Sequence, residues 1–312
     1  MSILWERDVD STNYQLRQAG NSLRLYTNGV FHSQYNPGRP VTGSVWDLLF
    51  LPAFFHAPGS IRRVLVLGVG GGAVIQQLRR FVQPDRITGI ELNETHLYLA
   101  RRFFGVSGED VELIRADAVD WVSRYRGPAF DLVVDDLFGH TDGETQRSVF
   151  ADRNWVTCLN RCLSSDGMIV SNFASRLELM ASAYLGDDAL RKQFSSAFHL
   201  ATARNYNAVG VLLKRPATTR QLRDRLTESD IRLFVTLVRF DLAYFGLFKC
   251  NRNLIGQMPY LSEYVARFRS LQGIEDTVNA EHIKTGYYSV KALNPQGIVP
   301  VGPDVHWQGQ NR

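Results

Sequence analysis

Residues 63–73 read RVLVLGVGGGA, and this stretch decides the fold. Arg63–Gly68 is a short run rich in Val and Leu, the pattern of a strand covered on both faces. Gly68, Gly70, Gly71 and Gly72 crowd the turn that follows. Ala73–Phe81 then carries apolar residues at helical spacing. Glycines between a strand and a helix let the backbone come close to a ligand, and the helix points its unpaired amides at that ligand. A plain tight turn would have the same composition, so the loop gains meaning only from what surrounds it.

Downstream the alternation repeats. Arg86–Leu92, Val111–Arg115, Asp131–Asp135 and Met168–Phe173 read as strands. Thr95–Phe104, Ala118–Tyr125, residues 146–163 and Leu177–Phe194 read as helices. Strands and helices alternating at this spacing predict a parallel sheet with helices on both faces. His199–Arg204 and Ala208–Lys214 flank Asn205, Tyr206 and Asn207 and read as a closing antiparallel hairpin. Upstream, Leu23–Tyr26 and Val30–Gln34 read as two strands joined at Asn28-Gly29, a pair that readily adopts positive φ. Val45–His56 reads as a buried helix ended by Pro58 and Gly59. The expected organisation is an N-terminal β-hairpin and helix over 1–58, a nucleotide-binding α/β domain over 59–215, and a helical extension with an extended tail over 216–312. In that extension Asp230–Phe248 has helical apolar spacing, and Gly286–Arg312 is rich in Pro and Gly.

The bulk composition narrows the class. Apolar residues make up 45% and charged residues 21%, the balance of a chain that buries a core. The net charge of +4 is small and no long basic run occurs, so there is no clear nucleic-acid signal. The N-terminus lacks a signal-peptide core, and the longest apolar stretch, near Trp46–Phe55, is broken by Asp47 and Pro52. The chain therefore reads as a cytoplasmic protein with no membrane contact. Cys158 and Cys162 are four apart, with no third ligand near them to complete a zinc pattern, so no metal is expected.

Chemistry gathers at the carboxyl ends of the expected strands. Glu91 ends the strand after the glycine loop, where an acid can accept hydrogen bonds from ribose hydroxyls. Asp117 follows the third strand, and Asp135-Asp136 end the fourth. One acid at such a place is often a helix cap. A glycine loop and acids on three successive strands point to a ligand at the mouth of an open α/β sheet.

The segments VLVLGVGGGAV, TGIELNETHLYLARRFF, VELIRADAVDWV and FDLVVDDLFG resemble successive motifs of spermidine synthases and their methyltransferase-like relatives. The likeness runs from about Leu23 to about Lys214 and includes the hairpin LRLYTNGVFHSQY. It implies a Rossmann-like class I methyltransferase fold and S-adenosylmethionine, or its decarboxylated form, as donor. It implies that Gly68, Gly70, Gly71, Gly72, Glu91, Asp117 and Ala118 hold the donor, with Glu91 on ribose and Asp117 and Ala118 on adenine. Asp135 would match the acid that takes a proton from the attacking nucleophile, and Asp136 and His140 are further candidates for that base. His32, Gln34, Asp47 and Phe138 would border the acceptor.

Two departures bear on the reaction. Gly71 stands where aminopropyltransferases carry an Asp that holds the donor's aminopropyl end. Phe138 stands where they carry an Asp for the far amine. A desolvated dication needs several carboxylates, so the resemblance favours methyl transfer to a small-molecule or protein acceptor. Aminopropyl transfer to a less cationic amine, and a non-catalytic scaffold, are the alternatives. The helices after 216 have two open roles, a homodimer interface or a lid over the acceptor.

Overall fold

The computed structural model describes residues 1–141, 144–202, 206–250, 252–270 and 274–300; side chains are not described at 140, 141, 144, 145 and 227–232. The chain divides into two compact units, residues 1–222 and 223–312.

The first unit opens with an antiparallel sheet of four strands, β1 (Ser2–Val9), β2 (Thr12–Ala19), β3 (Ser22–Thr27) and β4 (Val30–Tyr35), paired in sequence order. The expected hairpin is its second half, and its Asn28 and Gly29 take φ of 49° and 80°. The first half escaped the sequence reading because its turn is Asp10-Ser11, two non-glycine residues at positive φ. Alternation in β2 is nonetheless clear, with Tyr14 and Leu16 buried between partly exposed neighbours.

Next come α1 (Val45–Phe50), a 3₁₀ turn at Leu51–Phe55, β5 (Arg63–Leu67), α2 (Ala73–Phe81), β6 (Arg86–Glu91), α3 (Glu94–Arg102), β7 (Val111–Arg115), α4 (Ala118–Arg124) and β8 (Phe130–Asp135). A small hairpin of β9 (Phe138–Thr141) and β10 (Glu144–Arg147) precedes α5 (Arg153–Arg161) and β11 (Leu163–Phe173). The expected helix over 146–163 is therefore shorter, and its first residues belong to β10. Residues 177–194 form three short helices, α6 (Arg176–Ala181), α7 (Ala183–Gly186) and α8 (Asp188–Arg191), in place of one long one. Ser182 and Asp187 break the run in extended conformation, and Asp187 caps α8 by accepting from Leu190 N. β12 (Ser196–Ala201) and β13 (Ala208–Leu213) close the sheet; residues 203–205, part of the expected closing hairpin, lie outside the described residues.

The main sheet has the order β12-β13-β11-β8-β5-β6-β7. Strands β7, β6, β5, β8 and β11 run parallel, and β13 and β12 are antiparallel. The order reverses between β5 and β8, the switch point where such sheets bind ligands. Two apolar layers cover the sheet. Leu132 and Val134 of β8 face the layer containing Val64, Val66 and Leu49. Val133 faces the other layer, with Trp155, Phe173 and Tyr184.

The second unit is helical. α9 (Thr219–Arg239) begins in the first unit and runs into the second, where a π turn at Phe240–Tyr244 continues it. α10 (Phe245–Leu247), α11 (Pro259–Arg269) and α12 (Ala280–Tyr288) follow. Phe234, Leu237, Val238, Ile255, Val265 and Phe268 form its core. Buried Asp241 accepts from the amides of Ile255 and Gly256 at 2.6 and 3.0 Å, which ties the π turn to the next segment. The expected tail from Gly286 starts inside α12, and residues 301–312 lie outside the described residues. Among the described residues no helix is long and apolar enough to cross a membrane.

Candidate active site

A cavity of about 1120 Å³ lies within the first unit, over the carboxyl ends of the parallel strands. Gly68, Val69 and Gly70 line it after β5, Glu91 at the end of β6, Asp117 and Ala118 after β7, Asp136 to Gly139 after β8, and Asn172 in β11. The antiparallel sheet supplies another wall through Tyr14, Thr27, Phe31 and His32, and Trp46 of α1 completes it.

The glycine loop is shaped by what packs beneath it. Gly68 has φ of +83°, and a Cβ there would sit 2.2 Å from the Asp136 carbonyl. Only glycine permits β5 and β8 to end so close together. Gly71 is glycine for a different reason: a Cβ would meet Ser33 and Phe104 at 2.9 Å. Gly71 and Gly72, both expected to hold the donor, pack against Ser33, Phe104 and Val106 and do not line the cavity. β4 thereby occupies the space that a side chain at Gly71 would need.

Glu91 organises the glycine-loop side of the cavity. Its Oε2 accepts from the amides of Val69 and Gly70 at 3.0 and 2.9 Å, and its Oε1 accepts from Asn93 at 2.9 Å. Burial alone would raise its pKa, but the His96 imidazole and the amides of Asn93 and Gly70 outweigh that and hold the carboxylate below its ordinary range. His96 is itself buried, with Nε2 2.9 Å from Thr27 Oγ1 and Nδ1 3.9 Å from Glu91. Asn93 donates to the Tyr14 hydroxyl at 2.7 Å. Tyr14, Thr27, Asn93 and His96 thus join the antiparallel sheet to the acid. The sequence reading missed all four; the legible signal was Asn93, an N-cap type at the start of α3 that accepts from His96 N. Asp117 combines both roles open to it: it caps α4 by accepting from Asp120 N at 2.9 Å and it lines the cavity.

The two adjacent acids at the end of β8 separate. Asp135 is fully buried and faces the Trp155 layer. Its Oδ2 accepts from Arg147 Nη2 at 2.8 Å, Trp155 Nε1 at 3.1 Å and Ser171 Oγ at 2.9 Å. Asp135, the acid expected to meet the nucleophile, does not line the cavity; strand alternation turns its side chain toward the Trp155 layer. Asp136 lines the cavity instead. Its Oδ1 accepts from Asn172 Nδ2 at 2.8 Å, and Asn172 Oδ1 accepts from Asn207 Nδ2 at 3.1 Å. Burial pushes the Asp136 pKa up to about 6, against the opposing pull of Asn172.

The remaining expected residues divide similarly. His32 and Phe138 line the cavity. Asp47 does not; it accepts from the amides of Thr42 and Gly43 at 2.9 and 2.5 Å and from Gln77 at 2.5 Å, so it holds the loop before α1. Gln34 also lies elsewhere, accepting from Arg24 across the β3–β4 pair. The side chain of His140 lies outside the described residues. Among the described residues no cluster of three or more His, Cys, Asp or Glu side chains is placed to hold a metal ion.

Residues 64–159 match the methyltransferase domain family. A polyamine aminopropyltransferase 2 of Caldanaerobacter subterraneus subsp. tengcongensis is 27% identical over 100 residues, 31% of this chain and 33% of that protein. A probable spermidine synthase from Corynebacterium glutamicum superimposes with a TM-score of 0.57 at 18% identity, over 70% of this chain and 82% of that one. A different likeness reaches 54% identity over 81 residues with the glutathionyl-hydroquinone reductase PcpF of Sphingobium chlorophenolicum, 26% of each protein. The chain thus spans about a quarter to a third of the length of these curated relatives. Taken with the strand order and the glycine loop, these findings show a class I methyltransferase-type fold in the first unit, similar to that of spermidine synthases.

Proposed function

We propose that the first unit is an S-adenosylmethionine-dependent transferase that moves a methyl group to an acceptor carrying no more than one cationic centre. The supporting observation is the division of the cavity. Glu91, the glycine loop and Asp117 gather over β5, β6 and β7, the donor half. Over β8 and β11 the walls are Leu137, Phe138, Val149, Asn172 and Asn207, and Asp136 is the carboxylate among them. A diamine desolvated there would need charge at both ends. Asp136, close to half-ionised near pH 6, suits a general base for a single nucleophilic hydroxyl or amine. In methyl transfer the nucleophile's lone pair forms the new bond to the methyl carbon as the carbon–sulfur bond breaks, its electrons neutralise the sulfonium, and Asp136 takes the nucleophile's proton.

Aminopropyl transfer is the second reading, favoured by the aminopropyltransferase relatives and by an acid at the end of β8. The two readings separate by donor. Calorimetric titration with S-adenosylmethionine, its decarboxylated form and methylthioadenosine is the test. Tighter binding of intact S-adenosylmethionine, lost in Glu91→Ala, supports methyl transfer. Preference for the decarboxylated donor supports aminopropyl transfer. Binding of none of the three sinks both. The 81-residue likeness to PcpF is too long to fit ahead of residue 64, and residues 223–312 are long enough to hold it. We read that helical unit as the shared segment and assign it no reductase chemistry, since it represents a quarter of that protein.

A further inference from the structure

We infer that Asn172, locked by Asn207, is the positioning residue of the base: it fixes one oxygen of Asp136 and leaves the other to the acceptor. The inference rests on the reading of Asp136 as the base. The hydrogen-bond chain has one self-consistent direction. An ionised carboxylate only accepts, so Asn172 must turn its NH₂ group to Asp136. Its carbonyl oxygen then faces Asn207, which must donate, as the distances of 2.8 and 3.1 Å require. Asn172 has little freedom to do otherwise. It is 3% exposed, and its own backbone carbonyl accepts from Arg147 Nη1. Among the described residues Asp136 Oδ2 receives no hydrogen bond, and Asp136 and Asn172 both line the cavity.

The sequence offered a sign of this arrangement. β11 is apolar from Met168 to Val170, then turns polar at Ser171-Asn172 at its carboxyl end. Ser171 turns to Asp135 and Asn172 to Asp136, one partner for each acid. The charged groups facing Asp136 are Asp135 at the end of β8, Arg147 from β10 and Glu91 from β6. The two acids oppose its ionisation and the guanidinium favours it. Burial is the largest influence and opposes ionisation too; Asn172 is the strongest influence in favour.

The test is a ¹³C NMR titration of the aspartate carboxyl carbons in the full chain, with the Asp136 signal assigned by its loss in Asp136→Asn. Asn172→Leu keeps the branched skeleton and removes the donor. Its midpoint is expected to rise by about one pH unit, the loss of one charge-assisted hydrogen bond. Asn172→Ser, which keeps a short donor, should recover part of that rise. Asn207→Ala should shift the midpoint in the same direction by less, because Asn172 keeps its amide and loses its orientation. An unchanged midpoint in Asn172→Leu overturns the inference. If that variant does not fold, an unchanged midpoint in Asn207→Ala does so. The titration needs neither donor nor acceptor, so its failure with donor binding intact sinks the positioning role alone, and absent donor binding sinks the transferase reading alone.

Discussion

Asp135 and Asp136 are consecutive, yet their carboxylates have opposite surroundings: one is sealed against Arg147, and the other borders the cavity. The cause is the two-residue period of a strand. Val133 and Asp135 face the layer of Trp155 and Tyr184, and the next residue turns the opposite way. A pair of acids at a strand end therefore divides into a structural member and a cleft-facing member. Tyr184 extends the structural side: Ser171 donates to Asp135, so the hydroxyl of Tyr184, 2.5 Å away, donates to Ser171.

Arg147 and Asp135 are 1% and 0% exposed in their side chains, so neither charge has water to fall back on. Burial would lower the Arg147 pKa, but Asp135 outweighs it and keeps the guanidinium charged. Arg147→Met leaves Asp135 as an uncompensated buried carboxylate. The expected cost is about 3–5 kcal/mol, read from the urea midpoint at constant m-value. A loss below about 1 kcal/mol would mean that water reaches Asp135.

Asp136 carries the opposite thermodynamic sign. Its folded pKa of about 6 lies above the ordinary 3.8, so the folded state holds the proton more tightly than the unfolded chain does. Its contribution is fully present below pH 3.8 and is lost as pH rises through about 6. Asp136→Asn should therefore stabilise the fold near pH 8 by about 2–3 kcal/mol, since each pH unit separating the two values corresponds to about 1.4 kcal/mol, with no gain near pH 3.5. It should also abolish transfer while sparing donor affinity. Thermal unfolding of both proteins across pH 3.5–8 checks the sign; a gain that grows as pH falls would refute the raised pKa.

The α/β alternation was legible because the central parallel strands are rich in Val, Leu and Ile and buried on both faces, as in Arg63–Leu67. So was the placing of Gly68, Glu91, Asp117 and Asp136 at strand ends that border one cavity. Which of two adjacent acids enters the cleft was not, because that depends on where β8 stops relative to Gly68 and on the partners at Ser171 and Asn172. The partners of Asp47 were not legible for a similar reason. A carboxylate in an apolar segment needs a partner, and its partners are loop amides and Gln77 rather than a ligand. The first two strands were hidden by a turn without glycine, and β10 by helix-forming residues within 146–163.

Glu91→Gln tests the donor half. The carboxylate accepts three backbone amides, and an amide side chain can serve them with its one carbonyl oxygen only in part. Donor affinity should fall by about 10–100-fold, the range of a lost hydrogen bond to a charged group. Because the Glu91 pKa is lowered from 4.5, its contribution to stability is present above that value and disappears as pH falls below it. Donor affinity of the unaltered protein, measured by calorimetry, should not decline between pH 8 and pH 5 through this group. A decline centred near pH 6 would point to Asp136 as a donor ligand.

Removing the second unit tests where the donor site ends. Every residue lining the large cavity lies between Trp5 and Asn207, and the first unit closes at Leu222. Leu222 packs against the apolar layer of the first unit, so a cut before it would expose that layer. A chain ending at residue 222 should fold, shown by a cooperative thermal transition, and should bind S-adenosylmethionine within about twofold of the full chain, a difference below about 0.5 kcal/mol. Transfer to the natural acceptor is the separate readout. Retained donor affinity with lost transfer would assign the helical unit to acceptor recruitment. Lost donor affinity in a folded fragment would show that the cavity is incomplete without residues 223–312.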